Sequence, residues 1–313
     1  MVDRARPKIL VIGSFMMDLV VRTPRVPDNG ETVIGSSFRR FPGGKGANQA
    51  VSAARLGAQV TMVGKLGYDV YGDEMQDALN KEGIRTEYIL RDKDASTGVG
   101  FVTLDETTGN NRIVVVPGAN LRYSPEDLAC IEDVVRNSDL LMLQLEMDMR
   151  LIEAAVMMAE KHDVPVILNP APAQSLADEL LEKVTYLTPN ETEAQILTGV
   201  QVVDRQSAER AAQALLEKGI RKVVITLGHH GAMIADQSAT ELVPAFSTSV
   251  VDTVAAGDGF NGALAVAVAQ GTPLPEAVRF ANAVGALVVT REGAIPSLPS
   301  AQEVKAFLQK QVG

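Results

Sequence analysis

The most constraining feature of this chain is a repeated pairing. Short apolar runs of strand length, with no polar alternation, are each followed by a stretch of helical periodicity. "KILVIGS" (8–14), "QVTMVGKLG" (59–67), "DLLMLQLE" (139–146), "VPVILN" (164–169) and "KVVITLG" (222–228) are the strand-like runs. "ANQAVSAARLG" (47–57), "DVYGDEMQDALNKEG" (69–83), "MRLIEAAVMMAEKH" (149–162) and "SAERAAQALLEKGI" (207–220) are the helical ones, two of them stopping at a glycine, Gly57 and Gly83. A strand that is apolar on both faces has to be covered on both faces. The pattern therefore predicts a mostly parallel sheet between two layers of helices, an α/β/α sandwich.

Two segments break the rhythm. Residues 16–42 and 97–118 alternate apolar with polar residues, and "TTGNN" lies between two alternating runs as a β-hairpin turn. They predict a small discontinuous β-sheet lid on a single domain spanning 1–313, placed near the strand ends where open α/β sheets hold ligands.

Composition narrows the partners. Lys and Arg total 29 against 39 Asp and Glu, a net charge of -10, with no basic run. Such a chain is poorly suited to nucleic acid or an anionic membrane surface. The apolar run of "MVDRARPKILVIGS" is too short for a signal segment, and no stretch approaches the roughly 20 apolar residues of a membrane span. Cys130 is the one cysteine, which excludes an internal disulfide and suits a reducing, cytoplasmic setting.

Four stretches are rich in chemistry. "FPGGKGANQA" (41–50) places Lys45 between glycines before a helix, yet it fails the phosphate-loop spacing: Arg39 stands where a Gly is needed and Gly46 where Ser or Thr is needed. "GSFMMD" after the first strand likewise lacks the dinucleotide glycine fingerprint. What remains is a glycine turn with Asn48 on the first helical turn, suited either to a hydroxylated ligand or simply to a positive-φ strand–helix turn. Asp18 and Glu146 are acids at strand ends, each unremarkable alone; with Asn48 they make a polyol-type set. Asn190 and Glu193, in "TPNETEAQILTG", share a helix face and read either as a capping box or as a Mg²⁺-water site. "TLGHHG" offers Thr226, Gly228 and Gly231 either to a nucleotide or to a hairpin turn. His162, His229 and His230 lack metal-ligand spacing and are assigned to the surface.

The fourth stretch is "DTVAAGDGFNGAL" (252–264). Asp258 sits at the start of an apolar helix inside a frame of Ala255, Ala256, Gly257 and Gly259. A helix start carries free N–H groups and partial positive charge, so it stabilises a transferring phosphoryl group. An acid in that first turn can take the proton of an attacking hydroxyl. A helix-start acid alone would explain Asp258 but not the small residues around it.

"GGKGANQA" and "DTVAAGDGFNGAL" together resemble the two signature motifs of the ribokinase-like (PfkB) sugar kinases, and the resemblance covers essentially the whole chain. "QLE" (144–146), "NPAPA" (169–173) and "NETE" (190–193) are similar to the ribokinase subgroup. The resemblance implies an ATP-dependent kinase acting on the 5-hydroxyl of D-ribose. It implies Asp258 as catalytic base and Ala255, Ala256 and Gly257 as the anion hole. Asp18, Gly44, Lys45, Asn48 and Glu146 correspond to sugar contacts. Asn190, Thr226, Gly228, Gly231, Gly257 and Asn282 fall on the ATP side, with Glu193 at the Mg²⁺ water. Asp252, Ser297 and the backbone near Val254, Val288, Arg291 and Gly293 correspond to a K⁺ site. A homodimer through the lid is implied as well.

Two positions depart from that pattern. Met16 stands where Asn is common, and a thioether makes no useful hydrogen bond to a sugar hydroxyl. This opens 2-deoxyribose as the alternative substrate. Gly259 replaces a Thr, Ser or Ala, which is expected to loosen the helix start by less than about 1 kcal/mol. A nucleoside kinase is disfavoured by 4% aromatic content and no Trp. A non-catalytic sugar sensor is disfavoured by the retained Asp258 frame, and a dehydrogenase by the missing glycine fingerprint.

Overall fold

The first apolar run shows how the sheet is covered. In β1 (Lys8–Ile12), Ile9 and Val11 enter one core and Leu10 and Ile12 the other, all of them buried. A residue of this kind contributes roughly 1.5–3 kcal/mol on burial, so a strand apolar on both faces is stable only between two helical layers. The structure is a computed structural model that describes residues 6–311; the first five and last two residues of the expected 1–313 domain lie outside it.

In chain order the strands are β1, β2 (Met16–Thr23), β3 (Ser37–Gly43), β4 (Gln59–Gly67), β5 (Arg85–Asp92), β6 (Val99–Asp105), β7 (Asn111–Val116), β8 (Leu140–Gln144), β9 (Val166–Asn169), β10 (Tyr186–Leu187), β11 (Lys222–Thr226), β12 (Ala232–Asp236) and β13 (Thr240–Val243). The helices are α1 (Lys45–Arg55), α2 (Val70–Lys81), α3 (Glu132–Arg136), α4 (Met149–Lys161), α5 (Asp178–Leu181), α6 (Glu191–Thr198), α7 (Arg205–Glu217), α8 (Ala256–Ala269), α9 (Leu274–Val288) and α10 (Ala301–Lys310). The large sheet runs β13-β12-β11-β10-β9-β8-β1-β4-β5, parallel except for the antiparallel β11-β12-β13 edge. Helices α1, α8 and α9 cover one face and α4 and α7 the other.

The order reverses at β1, which pairs with β4 on one side and β8 on the other. That switch point opens a crevice beyond the strands' C-terminal ends. The second sheet, β3-β2-β6-β7, stands beside it. Its strands fall within the two segments expected to form a small separate sheet, except that β3 extends one residue beyond the expected boundary, and the "TTGNN" hairpin joins β6 to β7. Helix α1 begins two residues earlier than its periodicity suggested, because Gly44, at φ 91°, turns the chain directly into it.

Two close approaches fix the crevice. A Cβ on Gly46 would lie 2.5 Å from the Ser14 nitrogen, so α1 meets the end of β1 backbone to backbone. A Cβ on Gly262 would lie 2.5 Å from the Ser52 Cβ, and Ser52 Oγ donates to the Gly259 carbonyl at 3.0 Å. The α1–α8 contact is therefore tight at Ser52, in the last turn of α1, and at Gly259 and Gly262, in the first half of α8.

Candidate active site

Asp258 lies in the first turn of α8 and is buried at 7% exposure. Its N-cap, Ala255, has φ 60°, a left-handed conformation that costs a residue with a Cβ about 1–2 kcal/mol. Strain of this kind clusters at functional sites. A Cβ on Gly257 would meet nothing within 4 Å, so the bareness of that position answers to no protein neighbour and leaves the helix N-terminus approachable. Gly259 has a different reason. A Cβ there would lie 2.8 Å from Val288 Cγ2, so this chain fills with Val288 the space that a larger residue at 259 would use.

The tight α1–α8 contact delivers amides to the carboxylate. Asn48 Nδ2 donates to Asp258 Oδ2 at 2.9 Å and Gln49 Nε2 to Oδ1 at 3.1 Å. Asn48 is 5% exposed and its Oδ1 has no partner within the protein. A buried acceptor left open next to an acid is what a ligand hydroxyl would satisfy. Glu146, just past β8, accepts from Ser14 Oγ and from the Lys45 N–H at 3.1 Å. These bonds tie the ends of β1 and β8 to the start of α1.

Asp18 enters from β2 of the small sheet. A Cβ on Gly43 would lie 2.9 Å from one of its carboxylate oxygens, and one on Gly100 would collide with the other. Bare backbone thus flanks Asp18 on both neighbouring strands. Burial, reinforced by the charges of Glu146 and Asp258, pushes its pKa up from 3.8 to about 7. Burial works against the Lys45 ammonium, but Asp258, Glu146 and Glu193 prevail and hold its pKa above the ordinary value. Lys45 is thus a retained cation among four carboxylates, Asp18, Glu146, Glu193 and Asp258.

The nucleotide-side candidates cluster at the ends of β10, β11 and β13. Asn190 and Glu193 do form a capping box: Asn190 Oδ1 accepts from the Glu193 N–H at 2.8 Å, and Glu193 Oε2 accepts from the Asn190 N–H at 2.9 Å. Burial raises the Glu193 pKa despite that bond. Asn190 bridges to Thr226 at the end of β11. Gly228 and Gly231 form the turn from β11 to β12, so the hairpin alternative is realised there. Asn282 Nδ2 donates to the carbonyls of Val243 and Pro244, both at 3.1 Å, beside Gly231. His229 and His230 are exposed, whereas His162 is half-buried and bonded to Glu132 at 2.8 Å.

The third group lies between α8 and the loop after α9. Asp252 accepts from the Val254 and Gly293 N–H groups, each at 3.0 Å. The N–H groups of Val251 and Asp252 donate to Val289 O, the Arg291 N–H donates to Val288 O, and the Arg291 side chain pairs with Glu303. Ser297 Oγ donates to Ala294 O at 2.7 Å. The set offers only hard oxygens, suited to an alkali or alkaline-earth cation.

Sequence reasoning did not find Gln49, Gln144, Asn169, Thr188 or Asn261, which line the buried side of Asp258. The available signal was polar residues interrupting apolar strand ends, as in "LLMLQ" and "VILN".

The α/β crevice beside the small sheet holds Asp18, the amide-tethered acid Asp258 and an approachable helix N-terminus. This is the layout of a phosphotransferase with an alcohol acceptor. The sequence pattern of the pfkB family carbohydrate kinases matches residues 6–301, and the chain belongs to that family. It is 42% identical over 304 residues to the ribokinase of Haemophilus influenzae, covering 97% of this chain and 99% of that one. It is 36% identical over 301 residues to the deoxyribokinase of Salmonella typhimurium, covering 96% and 98%. The structure of Arabidopsis thaliana ribokinase complexed with ribose and ATP superposes with a TM-score of 0.93 at 33% identity, covering 97% of this chain and 99% of that one.

Proposed function

We propose that this chain transfers the γ-phosphoryl group of ATP to the 5-hydroxyl of D-ribose. The observation that carries the reading is Asp258, buried in the first turn of α8, bonded to an Asn48 whose other amide atom is open. Asp18, Gly44, Lys45, Asn48 and Glu146 hold the sugar. Asp258 takes the proton of the 5-hydroxyl as its oxygen attacks the γ-phosphorus, the bond to the β-phosphate oxygen breaks, and ADP leaves. First-turn N–H groups around Ala255, Ala256 and Gly257 hold the charge spread over the transferring group. Asn190, Thr226, Gly228, Gly231 and Asn282 line the nucleotide.

Glu193, whose carboxylate oxygens keep lone pairs beyond the capping bonds, would hold water on Mg²⁺. The oxygens around Asp252, Val254, Val288, Arg291, Gly293 and Ser297 would hold K⁺. Bound there, the two ions supply positive charge against the phosphates and behind the anion hole. Dependence on ATP supports a cytoplasmic setting.

A coupled assay over pentoses and nucleosides, with and without K⁺, tests the reading. Ribose is expected to give the highest kcat/KM, and K⁺ to raise turnover. Met16, 6% exposed at the head of β2 next to Met17 and Asp18, favours 2-deoxyribose as the second reading. A clear preference for deoxyribose would establish that one instead, and preferred nucleoside turnover would reject both.

The lid leaves Phe38, Phe101, Ile113, Val114, Val115 and Val116 exposed. Edge strand β7 is exposed along its whole length. An apolar, unpaired edge of this kind supports a homodimer in which two lids pair. The double variant Val114→Asp/Val115→Asp, one change on each face of β7, is expected to sediment as a monomer while retaining its helical circular dichroism. A dimer that persists would refute lid pairing.

A further inference from the structure

Behind Asp258 runs a chain of buried amides that ends at Gln144, whose Oε1 has no partner within the protein. Gln144 Nε2 donates to Gln49 Oε1 at 2.8 Å. Gln49 Nε2 donates to Asp258 Oδ1 and to Asn169 Oδ1, both at 3.1 Å. Asn169 Nδ2 donates to the Thr188 carbonyl at 3.0 Å. Thr188 Oγ1 donates to Asn261 Oδ1 at 2.6 Å, and Asn261 Nδ2 to the Gly257 carbonyl at 2.9 Å. Gln49 is fully buried, and Gln144, Asn169, Thr188 and Asn261 nearly so.

The orientation of each amide follows from groups that can only accept. The Thr188 and Gly257 carbonyls demand nitrogen from Asn169 and Asn261. Asn169 must then present its oxygen to Gln49. The Asp258 carboxylate likewise demands nitrogen from Gln49, so the Gln49 oxygen turns to Gln144. All requirements agree on one arrangement, and none survives flipping a single amide. The chain joins α1, the ends of β8 and β9, the segment after β10, and α8. It grips both the carboxylate of Asp258 and the carbonyl of Gly257 one residue before it.

We infer that Gln49 is a positioning residue for Asp258: its amide, locked by Gln144 and Asn169, fixes which carboxylate oxygen is bound from behind and which is left, beside Asn48, for the sugar. The inference rests on Asp258 being the base of the proposed reaction. Asp258 also interacts electrostatically with Lys45 of α1, Asp18 of β2 and Glu193 of α6, and Glu146 after β8 acts on Asp18 and Lys45; none of them bonds the buried oxygen.

The test is steady-state kinetics with ribose and MgATP on Gln49→Met, Asp258→Asn and the double variant, with melting temperature followed in parallel. Gln49→Met, close in volume, is expected to lower kcat about 10- to 100-fold, with KM for both substrates within about threefold. In the Asp258→Asn background the same change is expected to cost nothing further. Unchanged kcat with a lowered melting temperature, or an equal loss in both backgrounds, would overturn the inference. Should Gln49→Met fail to fold, Gln49→Glu serves, since it keeps the shape but sets a carboxylate against Asp258. Its kcat is expected to fall at least about 10-fold with KM for both substrates within about threefold, and a kcat equal to the parent's overturns the inference. If Asp258→Asn alone keeps normal turnover, the proposed reaction fails rather than the role of Gln49.

Discussion

Asp258→Asn is expected to lower kcat for ribose phosphorylation by at least about 10²-fold, with KM for ribose and ATP within about threefold. The variant keeps volume and planarity in a site where both carboxylate oxygens accept amide hydrogens. What it loses is the capacity to take a proton and one of the two acceptors, so that Asn48 has to turn its unpaired Oδ1 toward the new NH2 while Gln49 keeps its bond. Because Asn48, Lys45 and the first turn of α8 remain, ground-state binding persists while the transition state loses its base. Steady-state kinetics at saturating MgATP measures the effect, and near-normal turnover would remove Asp258 from the base position.

Asp18→Asn is expected to separate function from stability. In the folded chain the Asp18 carboxyl is pushed up to about 7 by burial and by Glu146 and Asp258, against 3.8 when unfolded. Between those values the folded state holds a proton that the unfolded state has released. Stability therefore falls as pH rises from about 4 to about 7, and the loss is complete above that window. The amide variant carries no such penalty. It is expected to be more stable than the parent at pH 8, on the order of 2 kcal/mol, with the difference vanishing near pH 4. Its kcat/KM for ribose is expected to fall about 10²-fold or more, because a charged acceptor of sugar hydroxyls is gone. Thermal melts across pH, paired with kinetics, measure both; equal stability of the two proteins at pH 8 would contradict the burial argument.

Much of this arrangement is legible in the sequence because its determinants are periodic or local. Strands β1, β4, β8, β9 and β11 announce themselves as unbroken apolar runs, and the small sheet by its alternation. Strand β5, "RTEYILRD", and the edge strand β13, "TELV", do not, since one mixes charges into a half-exposed strand and the other is four residues long. The same distinction holds in the site. Asp258 and Asn48 stand out through the small residues that surround them. Gln49 and Asn169 do not, although they fall inside "GGKGANQA" and "NPAPA", because a buried amide has no period and no charge to set it apart until its partners are known, and those of Gln49 lie 209 and 120 residues away. Asn190 and Glu193 illustrate a further limit: a capping box and a metal-water site require the same two side chains at the same spacing.

The tight seam between α1 and α8 has a consequence for how the molecule is made. Asn48, Gln49 and Ser52 emerge early in synthesis, on a helix whose inward side is otherwise alanine and valine. Their acceptors on α8 arrive some 210 positions later. Until then, Asn48 and Ser52 lack their native acceptors and Gln49 has only Gln144 and Asn169. Completion of the catalytic cleft and commitment of the first helix to its native place are thus one event, withheld until most of the polypeptide has been assembled.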